Sequence, residues 1–177
     1  MTSEYQRCVD EWRNCDRCLL CNKRNNVVQA RGTIPCRVLF VGESPGDSED
    51  VLGRPFVGPA GRLLDYVVEQ SLGDKYPVAM INLVGCIPRD ESNAKGEPPK
   101  EAIVSCRPRL QRIMELCDPS LIVAVGLLSL KHAPKMDDVM TVSITHPAAI
   151  LRMDVSQQAL AIKRCVITVE SAAALYL

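Results

Sequence analysis

Short apolar runs alternate along the chain with longer stretches that have helical periodicity. Apolar residues recur at helical spacing over residues 3–13 and again over Gly61–Leu72, so both stretches predict amphipathic helices. Compact apolar runs at Arg37–Val41 and Val78–Val84 predict the first two strands. The first of these strands ends at a loop rich in glycine and proline, which is the usual place for a site in an open α/β sheet.

The second half of the chain continues this alternation. A helix is predicted from Pro99 to about Leu116, because the amide that proline lacks is not needed in a first helical turn. Further strands are predicted at Leu121–Val125 and Val142–Thr145. Beyond Ser156 a helical stretch is followed by the β-branched run Val166–Val169, and we predict a terminal helix there.

Strands that alternate with helices indicate an α/β fold with a central, mostly parallel, four-stranded sheet and helices on both faces. A chain of 177 residues with 47% hydrophobic residues fills one core, so we expect a single domain over residues 1–177. No run approaches the roughly 18 to 20 apolar residues of a membrane span, and the N-terminus lacks the order of a secretory signal. We therefore expect a cytoplasmic monomer in a reducing compartment, with no membrane association.

Charge and cysteine content change this picture in two ways. The chain has 21 basic and 21 acidic residues, so any face that binds nucleic acid must be small and local. Nine cysteines are many for a reducing compartment, where such a pattern more often means ligation of a metal or cluster than disulfide formation.

Four of the cysteines are candidate ligands. Cys15 and Cys18 are spaced so that both thiolates reach one metal centre, and Cys86 and Cys106 are the favoured partners. Zinc and an iron-sulfur cluster would both accept this set, and Cys21 offers a rival ligand. The remaining cysteines are interpreted as small, buried apolar residues: Cys8, Cys36, Cys117 and Cys165.

The run GESPGDSEDVLGRPFVGPAG, from Gly42 to Gly61, resembles the first motif of the family-four uracil-DNA glycosylases, in which a G-E-x-P-G turn is followed by E-D and then G-x-P-F-V-G-x-A-G. Three further elements resemble that family in the right order: the early C-x2-C, Asn82 followed by Cys86 and Cys106-Arg107-Pro108, and THPAAILR from Thr145 to Arg152. The resemblance covers about residues 12–164. It implies a three-layer α/β/α fold, a [4Fe-4S] cluster on the four candidate cysteines, and uracil-containing DNA, single- or double-stranded, as partner.

The resemblance also implies roles for particular side chains. Phe56 would stack on a uracil flipped out of the DNA, and the Asn82 amide would pair with its N3-H and O4, which rejects cytosine. His146 would donate to uracil O2 and stabilise the departing anion, best while neutral. The implied substrate-binding set is Gly42, Glu43, Ser44, Phe56, Asn82 and His146, of which Glu43, Asn82 and His146 are the catalytic candidates.

Water activation and DNA contact complete the expected site. Glu43 is the first choice to position the attacking water, with Glu49 and Asp50 as second choices that could instead hold the loop. Leu151 is the expected wedge in the minor groove and Arg152 the expected phosphate contact. Ser44 stands where other branches of the superfamily carry a catalytic aspartate, and a hydroxyl cannot replace that base.

The chain departs from the family pattern in two places. Only nineteen residues separate Gly126 from His146, without the usual R-G pair, and Ile87 stands where an arginine is usual. No histidine lies between Cys86 and Cys106, which argues against the related branch that bonds covalently to DNA. Two alternatives stay open: a catalytically weak or inactive member that binds uracil-DNA or a replication partner, and a glycosylase for another modified base.

Overall fold

The computed structural model describes residues 3–177. In chain order the helices are α1 (Glu4–Trp12), α2 (Asp47–Leu52), α3 (Pro59–Ser71), α4 (Lys100–Cys117), α5 (Leu127–His132), α6 (Pro147–Ile150) and α7 (Val155–Tyr176). The strands are β1 (Arg31–Gly32), β2 (Val38–Gly42), β3 (Val78–Asn82), β4 (Leu121–Val125) and β5 (Met140–Ile144). A 3-10 turn lies at Leu19–Asn22.

The five strands form one sheet in the order β1-β3-β2-β4-β5, parallel except for β1. Because β2 and β3 are parallel neighbours, their carboxyl ends meet, and Gly42 lies directly opposite Asn82. The β4–β5 pairing sets Val125 opposite Ile144, so the segments that follow these strands also start side by side. The carboxyl ends of β2, β3, β4 and β5 therefore lie along one edge of the sheet, where the site forms.

The alternation of side chains along β2 divides the interior into two cores. Val38 and Phe40 pack with residues of α3 and α7 on one face, whereas Leu39 and Val41 pack with residues of α1 and α4 on the other. All four side chains are fully buried. Burial on both faces explains why this strand is an unbroken apolar run, as expected for the middle of a parallel sheet.

The predicted α/β architecture with helices on both faces is confirmed, but the predicted number of four strands is wrong. The fifth strand, β1, has two residues and pairs with Met80 and Ala79 through Arg31 and Gly32. A pair of residues that joins a sheet edge through its backbone has no apolar alternation, so hydrophobic patterning did not reveal it. The predicted strand Val142–Thr145 begins earlier, at Met140, and stops before Thr145.

Three short helices were also absent from the prediction. They are α2, α5 and α6, of six, six and four residues, which is too short for helical periodicity to show. The predicted terminal helix is confirmed as α7, with Cys165, Val169, Ala172 and Ala173 facing the core. Among residues 3–177, no helix is both long and apolar enough to cross a membrane.

Candidate functional site

The first part of the site is a close contact of two side chains with Gly42, the last residue of β2. A Cβ atom at Gly42 would overlap both Phe56 Cζ and Asn82 Oδ1, so the phenyl ring and the amide converge on the space that the glycine leaves open. The backbone holds this arrangement, because Leu83 N donates to Gly42 O at 2.9 Å and Val84 N donates to Glu43 O at 3.3 Å. Glycine is required here for close approach of side chains from two other segments.

Phe56 and Asn82 are both buried, at 6% and 3% exposure. Phe56 has φ of 55°, in the left-handed region that a bulky residue rarely adopts. Strain of this kind persists only where the surroundings impose it, and it is frequent at ligand-binding positions. Phe56 also packs in the main core, a position that agrees with a structural role as well as with stacking on a ligand.

A cleft of about 900 Å³ lies beside this buried pair. Glu43, Ser44, His146 and Arg152 all line it, whereas Gly42, Phe56 and Asn82 do not. The structure thus brings the predicted residues together as two groups that are joined by the Gly42–Glu43 peptide.

Gly126 brings Glu43 and His146 together in the cleft. A Cβ atom at Gly126 would lie 2.7 Å from Glu43 Oε1 and 3.2 Å from His146 Cβ. The carboxylate and the imidazole therefore lie over the same glycine, which directly follows β4. Any side chain at this position would separate them or displace one of them.

The hydrogen bonding of His146 defines its tautomer. Its Nδ1 accepts from Ala148 N at 3.1 Å, as the N-cap of α6, so the proton of the neutral ring is on Nε2. Burial lowers the pKa of His146 to about 4, and the positive charges of Lys95 and Arg152 act in the same direction. At neutral pH the ring is an uncharged donor at the wall of the cleft.

Burial raises the pKa of Glu43, and the carboxylate of Glu97 acts in the same direction. Lys95 and Arg152 oppose this shift. The carboxyl group is therefore poised between a hydrophobic environment, which favours the protonated form, and two cations, which favour the charged form. Such a balance is typical of a group that exchanges protons in a reaction.

The two second-choice carboxylates are already occupied. Glu49 accepts from Gly46 N at 3.0 Å and from Val57 N and Gly58 N at 2.9 and 2.7 Å, so it ties both ends of the loop together. Asp50 is fully buried and accepts from the backbone and side-chain amides of Asn25. Both residues hold the loop, which was the alternative interpretation of them, and neither lines the cleft.

The segment expected to contact DNA, from Pro147 to Arg152, was not predicted to be helical, but it begins with a helical turn, α6. The change has a local cause, because Pro147 fits a first helical position and His146 caps the helix. Leu151 follows at the end of the turn and is 43% exposed, outside the cleft lining. Arg152 reaches the cleft.

The four predicted ligands line one small cavity: Cys15, Cys18, Cys86 and Cys106. Cys21 does not line it, and its thiol donates to Asn22 Oδ1 at 3.3 Å. Within residues 3–177, however, no three His, Cys, Asp or Glu side chains are arranged to hold a single metal ion.

The four other cysteines are buried in the cores, as the sequence predicted: Cys8, Cys36, Cys117 and Cys165.

Several residues at the cleft were not singled out from the sequence. Lys95, Glu97 and Lys131 line it, and Gly126 lies beneath the acid–imidazole pair. The two lysines and the glutamate lie in ordinary polar surroundings in the sequence, so only tertiary structure reveals them. Gly126 carried a usable signal, since a glycine directly after a buried strand often allows close approach.

Comparison with known proteins agrees with this geometry. The profile of the Uracil DNA glycosylase superfamily matches residues 30–168. A type-4 uracil-DNA glycosylase of Pyrobaculum aerophilum is 35% identical to this chain, and the match covers 84% of this chain and 85% of the relative. Type-4 uracil-DNA glycosylases of Saccharolobus solfataricus and Sulfurisphaera tokodaii are 37% and 35% identical, over 67% and 72% of this chain. The chain spans only 53% and 56% of the length of these two relatives. It belongs to the uracil DNA glycosylase superfamily.

Proposed function

We propose that this chain, as one domain, extracts uracil from DNA and hydrolyses its N-glycosidic bond, leaving an abasic site. One observation carries the proposal: a neutral imidazole and a carboxyl group, His146 and Glu43, share a cleft that adjoins a buried phenyl–amide pair. The type-4 enzymes named above are relatives that act on uracil in DNA. A base must leave the duplex before its glycosidic carbon can be attacked, and a pocket of this kind receives it.

Base recognition falls to Asn82 and Phe56 in this proposal. The Asn82 side chain is buried beside Gly42 and Phe56, and its amide offers both a donor and an acceptor to a ligand. An amide that accepts from uracil N3-H and donates to O4 matches uracil and opposes cytosine, which presents the reverse pattern. Mismatched buried polar groups cost about 1–3 kcal/mol each, enough for strong discrimination.

His146 stabilises the leaving group. Its Nε2–H is the one free donor of the ring, because Nδ1 is engaged by Ala148 N. Donation to uracil O2 becomes stronger as negative charge develops on the departing base. A neutral donor suits this role, since it stabilises the anion without giving its proton away.

Glu43 positions the water that attacks the sugar carbon. Its carboxyl group lies over Gly126 beside His146, so water and base can be held within one cleft. The raised pKa of Glu43 means that the active, charged form is lost at a higher pH than for an ordinary glutamate. Ser44 contributes at most a hydroxyl contact.

DNA contact is local in this proposal, consistent with a formal net charge of zero. Arg152, Lys95 and Lys131 supply positive charge around the cleft, and exposed Leu151 supplies an apolar wedge. The substrate is uracil-containing DNA, single- or double-stranded, and the chain acts as a monomer. None of the nine cysteines forms a disulfide in the described chain, which suits a reducing compartment.

Cys15, Cys18, Cys86 and Cys106 would hold a [4Fe-4S] cluster. They line one cavity, and Cys106 Sγ accepts from Gly85 N at 3.4 Å and from Arg109 Nε at 3.2 Å. N–H donors directed at a sulfur are a recurrent feature of cluster ligands. When bound, the cluster supplies cross-links between the N-terminal segment, the loop after β3 and α4.

The test is uracil release from labelled oligonucleotides, read by cleavage at the resulting abasic site. Wild-type protein should release uracil, and His146→Ala should lower the rate by at least about 100-fold, the typical loss when one donor to a developing anion is removed. His132→Ala is the matched control, because His132 lies outside the cleft and should give wild-type rates.

Oligonucleotides with hydroxymethyluracil, mismatched thymine or hypoxanthine extend the same assay to other bases. Release of one of these in preference to uracil would correct the substrate. Tight binding of uracil-DNA without turnover by the wild type would show a binding protein and overturn the enzymatic proposal.

A further inference from the structure

Arg109 is a fully buried cation in α4, one turn after Cys106. Its guanidinium reaches two parts of the molecule at once. Nε donates to Cys106 Sγ at 3.2 Å, and Nη2 donates to the backbone carbonyl of Asn82 at 2.7 Å. Nη1 makes longer contacts of 3.4 Å with Val28 O and Gln29 Oε1. The side chain thus connects the cysteine cavity to the end of the strand that carries the base-recognition amide.

The charge of Arg109 has no carboxylate partner within residues 3–177. Three of its four acceptors are neutral amide oxygens, and the fourth is the Cys106 sulfur. A guanidinium remains charged at any pH of interest, and a charge buried without a counter-charge is strongly destabilising. Among its contacts, only the sulfur can become an anion.

The surroundings of the sulfur are arranged for a negative charge. Gly85 N donates to Cys106 Sγ as well, and a Cβ atom at Gly85 would lie 3.2 Å from Arg109 Nε, so glycine permits the approach of the guanidinium. Arg24 lines the same cavity, and its Nη1 is buried without an acceptor in the described chain. Arg17 lines the cavity too, so three arginines and four thiols share its wall.

We propose that Arg109 is the internal counter-charge of the cysteine site and the residue through which that site positions the base-recognition strand. In this arrangement Cys106 is a metal-bound thiolate, whose charge the guanidinium balances. The same guanidinium holds the Asn82 carbonyl, so the cysteine site and the amide of Asn82 are mechanically linked. Arg109 touches neither substrate nor reacting atoms and is a positioning residue. The inference rests on the proposed [4Fe-4S] site and deepens the proposed function.

The experiment compares wild type, Arg109→Met and Arg109→Lys as purified, metal-containing proteins. Metal loss to a chelator is followed by elemental analysis, and the reduction potential is measured by spectroscopic titration. We expect Arg109→Met to lose metal at least about ten-fold faster, as is typical when an outer partner of a ligand is removed. Its potential should be more negative, because a cation and an N–H···S bond have been removed.

Arg109→Lys keeps the charge but cannot reach both Cys106 and Asn82, since an ammonium is a single point and not a planar fork. It should retain metal better than Arg109→Met. Both variants should bind uracil-containing DNA more weakly than the wild type, because neither holds the Asn82 carbonyl and Cys106 Sγ together. Arg112→Met is the matched control, because it removes an exposed guanidinium from the same helix, where Arg112 pairs with Glu4 and Glu115. Circular dichroism establishes that each variant is folded, and Arg109→Lys decides the question if Arg109→Met does not fold.

Metal retention and potential equal to wild type in a folded Arg109 variant would overturn the inference. So would a wild-type protein that binds neither iron nor zinc. Because these readouts need no turnover, a wild type that holds metal but releases no uracil would contradict the proposed function and leave the counter-charge role standing.

Discussion

The half-buried, neutral imidazole of His146 predicts a specific dependence of stability on pH. The pKa of this imidazole falls from the ordinary 6.5 to about 4 in the folded protein. Between these values the unfolded chain binds a proton that the folded chain excludes, so stability is complete above pH 6.5 and declines as the pH falls toward 4. The difference corresponds to about 3 kcal/mol of unfolding free energy.

His146→Asn isolates this contribution. Asparagine does not titrate, and its side-chain oxygen can accept from Ala148 N as the histidine does, so the cap of α6 is retained. Urea unfolding of both proteins between pH 7 and pH 4 gives two curves, in which the other titrating groups contribute equally. We expect the wild type to lose about 3 kcal/mol relative to the variant over this interval. A constant difference between the two curves would refute the assignment of an imidazole that stays neutral in the folded protein.

The same reasoning predicts the acid limb of uracil release. Because the pKa of Glu43 is raised and that of His146 is lowered, activity should fall with acid as Glu43 becomes protonated, at a pH where His146 is still neutral. The midpoint of this fall in rate should lie at a pH above the ordinary pKa of glutamate. The His146→Asn variant should show the same midpoint, although its rate of uracil release is much lower. A limb that is centred near pH 6.5 in the wild type and absent from the variant would assign the titration to the imidazole and contradict this order.

Two further predictions concern the phenyl–amide pair and the wedge. Gly42→Ala inserts a methyl group into the space that Phe56 and the Asn82 amide occupy, and it should reduce uracil release by about 100-fold and stability by about 1–3 kcal/mol, measured by the oligonucleotide assay and urea unfolding. Gly96→Ala, where an added methyl group meets nothing within 4 Å, is the control for stability and should unfold at the same urea concentration as the wild type; equal losses of stability in the two variants would contradict the packing argument. Leu151→Ala removes an exposed side chain and should leave stability within about 0.5 kcal/mol, while slowing release from duplex DNA more than from single strands. Equal slowing on both substrates would argue against a wedge.

The order of the long helices and strands could be predicted from the sequence, because the spacing of apolar residues within each element shows which of its faces is buried. Val38–Gly42 and Leu121–Val125 are apolar throughout, since both faces of a central parallel strand are covered. The elements that escaped prediction, such as Arg31–Gly32 and Pro147–Ile150, are too short for a period to be seen. Their presence depends on a neighbouring strand or on a capping side chain.

The candidate site, too, could be predicted from the sequence only in part. The motif from Gly42 to Gly61 pointed to the turn and its partners, but it only ranked Glu43 ahead of Glu49 and left both as candidates to position water. Both are glutamates in one loop, and only the three backbone amides around Glu49 show that its carboxylate is already engaged. Hydrogen-bond partners decide between a structural and a chemical role, and partners come from packing.

By itself, the sequence determined the fold class, the strand ends where a site would form and the cysteines that share a cavity, because spacing and periodicity are properties of the chain. Tertiary structure alone decided that Gly42 faces Asn82, that Gly126 seats Glu43 beside His146, and that Arg109 is buried. These contacts join segments far apart along the chain. Strand order and register bring them together, and local sequence patterns record neither.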